Sequence, residues 1–318
     1  MEYRALGKTG FNIAPLVFGA NVFGWTVDEK RSFNLLDAFV DAGLNAIDTA
    51  DAYSTWAPGN KGGESETIIG NWLKQNPTKR EKVVIITKVG SDMLEPSKKG
   101  LSARWIKQAA EDSLKRLQSE AIDVYLSHWP DPETSHEETL RAYEDLINSG
   151  KVRAIGCSNY DAKLLKSALD TSKSLNLPSY QVLEPEYNLY DRSGFEGELA
   201  DLCRQEGLGV ITYFSLASGF LSGKYRSQND VEGKARQRMV EKYVNERGLH
   251  ILDVLDGISK AHNATNAEVA LAWIIAQKAV TAPIASATSL EQLASLVKAT
   301  TLKLSNDDIT HLTNASAF

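Results

Sequence analysis

The chain has 318 residues, 42% apolar and 24% charged, an ordinary globular composition that excludes a disordered or collagen-like chain. Its 35 basic and 41 acidic side chains leave a formal charge of −6, which argues against a broad basic surface for nucleic acid or anionic lipid. Two cysteines, Cys157 and Cys203, cannot make a disulfide framework, residues 1–10 lack the apolar core of a secretory signal, and no apolar run nears the roughly 20 residues that span a bilayer; a cytoplasmic protein with neither membrane nor nucleic-acid partner is expected.

The first 15 residues read as a β-hairpin, with extended stretches at 3–6 and 11–13 around Gly7-Lys8-Thr9-Gly10. Short runs rich in β-branched residues follow at 16–19, 44–48, 83–87, 122–127, 152–157, 180–184, 209–213 and 280–284. Such continuous runs suit parallel strands covered on both faces. Helical stripes separate them. Thr26-Val27-Asp28-Glu29 reads as a capping box ahead of Phe33, Leu36 and Val40; Ser135 with Glu138, Thr265 with Glu268 and Ser289 with Gln292 read the same way. Eight strand–helix units fit a closed (β/α)8 TIM barrel. The rival is an open doubly wound sheet, which normally carries a glycine-rich turn after its first strand. Here that turn is Gly19-Ala20-Asn21-Val22-Phe23-Gly24, which is not G-x-G-x-x-G. One barrel domain over 1–318 is therefore expected, with residues 214–245 as a long loop rich in Ser, Gly, Lys and Arg. Loops of that length in compact domains usually serve function.

In a barrel the chemistry gathers where strands end. The second run ends in Asp48, with Tyr53 five residues on; the third ends in Thr87-Lys88 and the fourth in Ser127-His128. A phenol has a pKa of about 10 and is a weak acid at neutral pH. A buried ammonium at Lys88 would favour the Tyr53 phenolate and lower that value, Asp48 would hold the lysine charged, and a neutral His128 imidazole could donate to a carbonyl oxygen. The set makes a proton donor for the oxyanion formed when hydride reaches a carbonyl carbon. A metal-dependent barrel hydrolase would need clustered histidines. The five present, at 128, 136, 250, 262 and 311, show neither H-x-H nor H-E-x-x-H spacing, so no metal site is expected.

These residues stand within longer stretches: Ala46-Ile47-Asp48-Thr49-Ala50-Asp51-Ala52-Tyr53, Gly63-Glu64-Ser65-Glu66 with Gly70, His128-Trp129-Pro130-Asp131, Gly156-Cys157-Ser158-Asn159, Gln181 with Glu186-Tyr187-Asn188, and Tyr213 through Leu221-Ser222-Gly223-Lys224. In that order they resemble the aldo-keto reductases over nearly the whole chain. The resemblance implies NADP(H)-dependent reduction of an aldehyde or ketone, with Asp48, Tyr53, Lys88 and His128 as the catalytic tetrad and Tyr53 as the acid. It implies that Ser158, Asn159 and Gln181 bind the nicotinamide carboxamide and that Tyr213 stacks on the ring. Leu216, Ser218, Gly219 and Lys224 fall where the family wraps the pyrophosphate, and Ser286, Thr288 and Gln292 where it binds the adenosine phosphate. Ser286, Thr288 and Ser289 stand where NADPH-selective members usually carry Arg or Lys, and Leu296 replaces a usual Asn, so NADH stays open as the cofactor. Lys224, Arg226 or Arg236 could supply the missing cation. Trp25, Trp56, Trp129 and Phe220 are expected as an apolar wall around the carbonyl substrate. The alternative reading is a nicotinamide-binding auxiliary subunit resembling potassium-channel β subunits, with little turnover.

Overall fold

In the computed structural model, which describes residues 1–233 and 237–318, the eight apolar runs close into one parallel barrel. After a hairpin of β1 (Arg4–Ala5) and β2 (Asn12–Ile13), the barrel strands follow in chain order. They are β3 (Val17–Gly19), β4 (Ala46–Asp48), β5 (Val84–Val89), β6 (Ile122–Ser127), β7 (Val152–Ser158), β8 (Val182–Glu184), β9 (Gly209–Thr212) and β10 (Ala282–Ala285). Strand β10 returns to β3 through the pairs Ile284–Val17 and Ala285–Phe18, so the barrel has no edge.

The period-2 geometry of a strand explains why these runs are apolar throughout. Val17, Ala46, Val84, Ile86, Val124, Leu126, Ala154, Val182, Ile211, Ala282 and Ile284 point inward and fill the barrel as one cluster. Their neighbours Phe18, Ile47, Ile85, Tyr125, Ile155, Leu183 and Val210 point outward and pack beneath the helices. Leu6 and Ile13 of the hairpin join the inner cluster and seal the end where the strands begin. Gly7 makes this fit possible: it has φ +58°, and a methyl group there would lie 2.4 Å from the Gln181 carbonyl oxygen and the Gly209 nitrogen.

The outer helices are α1 (Glu29–Asp41), α2 (Glu64–Gln75), α3 (Ala103–Leu117), α4 (His136–Asn148), α5 (Ala162–Leu175) and α6 (Glu198–Glu206). The cap of α1 differs from the sequence expectation. Asp28, not Thr26, accepts from the Arg31 nitrogen, because the run preceding Asp28 is occupied by the turn that pairs Phe23 with Val27. Thr265 and Glu268 do form a reciprocal capping box.

The segment expected as a long loop contains several short helices. A 3-10 turn at Ala217–Ser222 is followed by α7 (Gln228–Val231), α8 (Gln237–Val240) and a second 3-10 turn at Glu241–Tyr243. The Phe220 and Tyr243 rings, 5.5 Å apart, stack to hold it together. Then come α9 (Glu246–Ala261), α10 (Asn266–Ile275), α11 (Leu290–Ala299) and α12 (Asn306–Ala315). Among the described residues no helix is long and apolar enough to cross a membrane.

Candidate active site

The strand ends bring Asp48, Tyr53, Lys88 and His128 to one rim. Backbone pairing carries the chain past β4 along β5: Thr49 N–H donates to the Ile86 carbonyl at 2.8 Å and Asp51 N–H to that of Lys88 at 3.3 Å. A tight turn, Tyr53 N–H to the Ala50 carbonyl, then swings the Tyr53 ring back over Lys88. Ser54 takes φ +75° to complete it, and its hydroxyl is fixed on the Phe23 carbonyl at 2.6 Å. The Lys88 ammonium, fully buried, donates to Asp48 Oδ1 at 2.5 Å, to the Thr49 carbonyl at 2.9 Å and to the Tyr53 phenol oxygen at 2.8 Å. Tyr53 in turn donates to Asp48 Oδ2 at 3.0 Å. The His128 ring centroid lies 6.1 Å from that of Tyr53, and its Nδ1 is 2.9 Å from the Ser91 hydroxyl.

A second tier holds this group. Thr87 donates to Glu66 Oε1 and the Arg116 Nε to Glu66 Oε2, both at 2.6 Å, while Thr49 donates to Ser65 and Ser65 to the Ala20 carbonyl. The Gly63-Glu64-Ser65-Glu66 stretch thereby clamps the start of α2 against β3, β4 and β5.

The electrostatics differ from the expectation in one respect. Lys88 does not lower the Tyr53 pKa on balance. Burial and the Asp48 charge push the phenol well above its usual range and outweigh the pull of Lys88. A smaller part of that rise comes from a residue the sequence did not single out. Glu184, the last of β8 and buried, places Oε1 3.3 Å from the Lys88 ammonium, so one cation faces two carboxylates. Burial, then the Asp48 charge, raise the Glu184 carboxyl, and burial raises Asp48. Burial alone would favour a neutral Lys88, but Asp48 and Glu184 hold it charged, above the usual lysine range. Burial and Lys88 keep the His128 imidazole neutral, well below its usual value. Burial also pushes the Cys157 thiol well up, which leaves it a protonated, unreactive core group.

Ser158 and Asn159 lie on the same rim. Ser158 donates to the Glu184 carbonyl at 2.8 Å, and Asn159 Nδ2 donates to the His128 carbonyl and to Ser158 Oγ. The Tyr213 hydroxyl donates to Asn159 Oδ1 at 2.7 Å, so this ring joins them. Gln181 does not. It precedes β8 at the barrel's other end, where its carbonyl accepts from Gly209 N–H beside Gly7 of the hairpin. Three residues along a strand separate Gln181 from Glu184, and that spacing carries the chain from one rim toward the other.

Beyond Tyr213, Leu216 opens a turn in which Ser218 and Gly219 both take positive φ, +56° and +97°. A methyl group on Gly219 would sit 3.5 Å from the Lys224 ammonium, so Lys224 folds back over this turn. Ser286 donates to Asn21 Oδ1 at 2.6 Å, and Gln292 Oε1 accepts from the Thr288 amide and hydroxyl. Arg226 is committed elsewhere, in a two-pronged pair with Asp256 at 2.7 and 2.8 Å. Arg236 lies outside the described residues.

Of the aromatic wall, the Trp56 ring is half exposed and lies 6.0 Å from Tyr53 and 5.8 Å from Trp25; Trp129, also half exposed, stacks on His128 at 6.2 Å. Phe220 is not part of it, being wholly buried against Tyr243. Two further residues at the rim escaped the sequence reading, Ser91 and Glu184. Ser91 stands three residues after Lys88, within reach of any group that β5 presents, which is the signal that could have found it. For Glu184, the position as last residue of its run was the available signal.

The profile of the Aldo/keto reductase family matches residues 15–317. An uncharacterized oxidoreductase of Bacillus subtilis (strain 168), YrpG, is 34% identical over 313 residues, covering 96% of this chain and 93% of its own. A probable voltage-gated potassium channel subunit beta of Oryza sativa subsp. japonica is 34% identical over 307 residues, 94% of this chain and 91% of its own. Its counterpart in Arabidopsis thaliana is 33% identical with the same coverage. On the full-length match and on the relatives at this level of identity, the chain belongs to the aldo/keto reductase family.

Proposed function

We propose that this protein is an NADP(H)-dependent oxidoreductase that reduces an aldehyde or ketone to an alcohol, with Tyr53 as general acid. The observation that carries the reading is the fully buried Lys88 ammonium donating to the Tyr53 phenol oxygen at 2.8 Å on the rim where β4, β5 and β6 end. The residues fit a nicotinamide cofactor by the chemistry of their donors. Ser158 and Asn159 offer hydroxyl and amide groups for a carboxamide, beside the Tyr213 ring. Leu216, Ser218, Gly219, Lys224, Ser286, Thr288 and Gln292 offer an ammonium, hydroxyls, an amide and backbone N–H groups, with no carboxylate among them, as a pyrophosphate and an adenosine phosphate require. When bound, that cofactor supplies the hydride.

The chain's own residues handle the proton. Tyr53, held protonated at neutral pH, passes its phenolic proton to the carbonyl oxygen as charge builds there. The Lys88 N–H stays on the phenol oxygen and stabilises the phenolate left behind. His128 is neutral and its Nδ1 lies 2.9 Å from the Ser91 hydroxyl; in the tautomer that accepts from Ser91 its proton sits on Nε2, where it donates to the same substrate oxygen. In alcohol oxidation the Tyr53 phenolate takes the proton back. Trp25, Trp56 and Trp129 offer an apolar mouth beside the reacting oxygen.

The test is consumption of NADPH, and separately NADH, with a panel of aldehydes and ketones. Carbonyl-dependent turnover supports the reading. The two plant relatives named as channel β subunits favour a second one, an auxiliary subunit that holds the nucleotide with little turnover. Tight nucleotide binding with no turnover across the panel would select it.

A further inference from the structure

Lys88 has more anionic company than a proton-donating tyrosine requires. Asp48 meets its ammonium at 2.5 Å and Glu184 at 3.3 Å, and all three side chains are essentially shut off from solvent. The contact is built from the register of the sheet. Glu184 pairs with Ser158 across β7 and β8, and the Ser158 hydroxyl fixes the Glu184 carbonyl at 2.8 Å. Its second oxygen, Oε2, is buried and accepts no hydrogen bond from any described residue, although the Glu184 and Asp48 carboxyls lie within hydrogen-bonding reach of each other. A carboxylate oxygen left so is costly in a dry site, which means the group is either protonated or held for its charge. Nothing in the proton transfer described above uses it.

We propose that Glu184 is a positioning residue of this site: a second carboxylate on Lys88 that divides the ammonium's pull and keeps Tyr53 in its proton-donating form. The inference rests on the reading of Tyr53 as the acid. The titratable groups facing Glu184 come from each wall of the rim: Asp48 from β4, Lys88 from β5, Tyr53 from the turn after β4 and Tyr213 after β9. Among these Lys88 is the sole cation. A single ammonium cannot neutralise both carboxylates, and burial and the Asp48 charge raise the Glu184 carboxyl. The Glu184 charge, like that of Asp48, opposes ionisation of Tyr53. The device extends to higher pH the range over which Tyr53 is a phenol, the form that reduction needs.

The decisive experiment is the pH dependence of alcohol oxidation and carbonyl reduction by wild type and Glu184→Gln. The substitution keeps the shape and removes the charge. The alkaline midpoint of both reactions is expected to fall by about one to two pH units, as a unit charge acting at an effective dielectric of about 20 would require. A midpoint that stays in place overturns the proposal, whatever happens to overall rate or thermal stability. Glu184→Asp, which keeps the charge, should leave the midpoint within about half a unit; a shift as large as that of Glu184→Gln overturns the proposal, and Glu184→Ala carries the same test if Glu184→Gln fails to fold. Should wild type turn over no carbonyl or alcohol, the functional reading falls, and the ultraviolet titration of the Tyr53 phenol, taken as the difference from Tyr53→Phe, still tests Glu184: a phenol midpoint unmoved by these substitutions overturns the proposal.

Discussion

Replacing Lys88 by Met removes the one cation that Tyr53, Asp48 and Glu184 share, and the structure sets the scale of the damage. The ammonium lies 2.8 Å from the phenol oxygen. At an effective dielectric of about 20, a full phenolate charge at that range is stabilised by roughly 6 kcal/mol. A transition state with about half that charge developed loses about 3 kcal/mol, which is on the order of a hundredfold in rate. Steady-state kcat for carbonyl reduction at pH 7 should fall by that much or more. The nucleotide Kd should change far less, because Ser158, Asn159 and Tyr213 do not touch Lys88 through any hydrogen bond of the site. Stability suffers too, since breaking a buried pair typically costs about 3–5 kcal/mol. Its pH dependence has a definite sign. Asp48 and Glu184 already titrate above the usual carboxyl range and rise further without the ammonium. A carboxyl raised in the folded state stabilises the fold below its unfolded pKa and loses that contribution as pH climbs through the folded value. The melting temperature of Lys88→Met should therefore approach that of wild type near pH 5 and fall away toward pH 9. A folded Lys88→Met that reduces carbonyls within threefold of wild type would refute the reasoning.

Carbonyl reduction should show no acidic limb from His128 between about pH 5 and 8, because burial and Lys88 hold that imidazole neutral; a kcat/KM profile that turns over near the ordinary histidine value of about 6.5 would count against it. Gln181→Ala should leave the NADPH Kd, measured by nucleotide fluorescence, within about twofold, since residue 181 sits at the hairpin end of the barrel. Gly70→Ala should lower the urea midpoint by an amount equivalent to about 2–3 kcal/mol, because the added methyl would lie 2.0 Å from the Arg116 carbonyl, where α2 and α3 cross.

The barrel was legible because strands buried on both faces advertise themselves as unbroken runs such as 122–127 and 152–157, and the helices between them carry their own caps. The rim was legible to the same depth: Asp48, Lys88 and His128 sit at strand ends, and a turn of known length returns Tyr53 to them. What stayed hidden was set by three-dimensional pairing. Glu184 meets Lys88 only in the folded barrel, and the burial that chiefly raises Tyr53 is likewise set by the fold. Gln181 and Glu184 lie on one short run, and only the register with β7 and β9 shows which of them faces the rim. Phe220 resembled a mouth aromatic in a polar stretch, yet the 3-10 turns of that stretch fold it into the core against Tyr243. Arg226 looked free in the sequence and is bound to Asp256 on a helix thirty residues away.

Tyr53→Phe removes a single oxygen from the site, and hydride transfer followed in one turnover at saturating NADPH reports on that oxygen alone. The rate should drop by about two to four orders of magnitude, the usual contribution of a positioned general acid, while the nucleotide Kd stays within a few-fold. Transfer at an undiminished rate with nucleotide bound as tightly would contradict Tyr53 as the source of the proton.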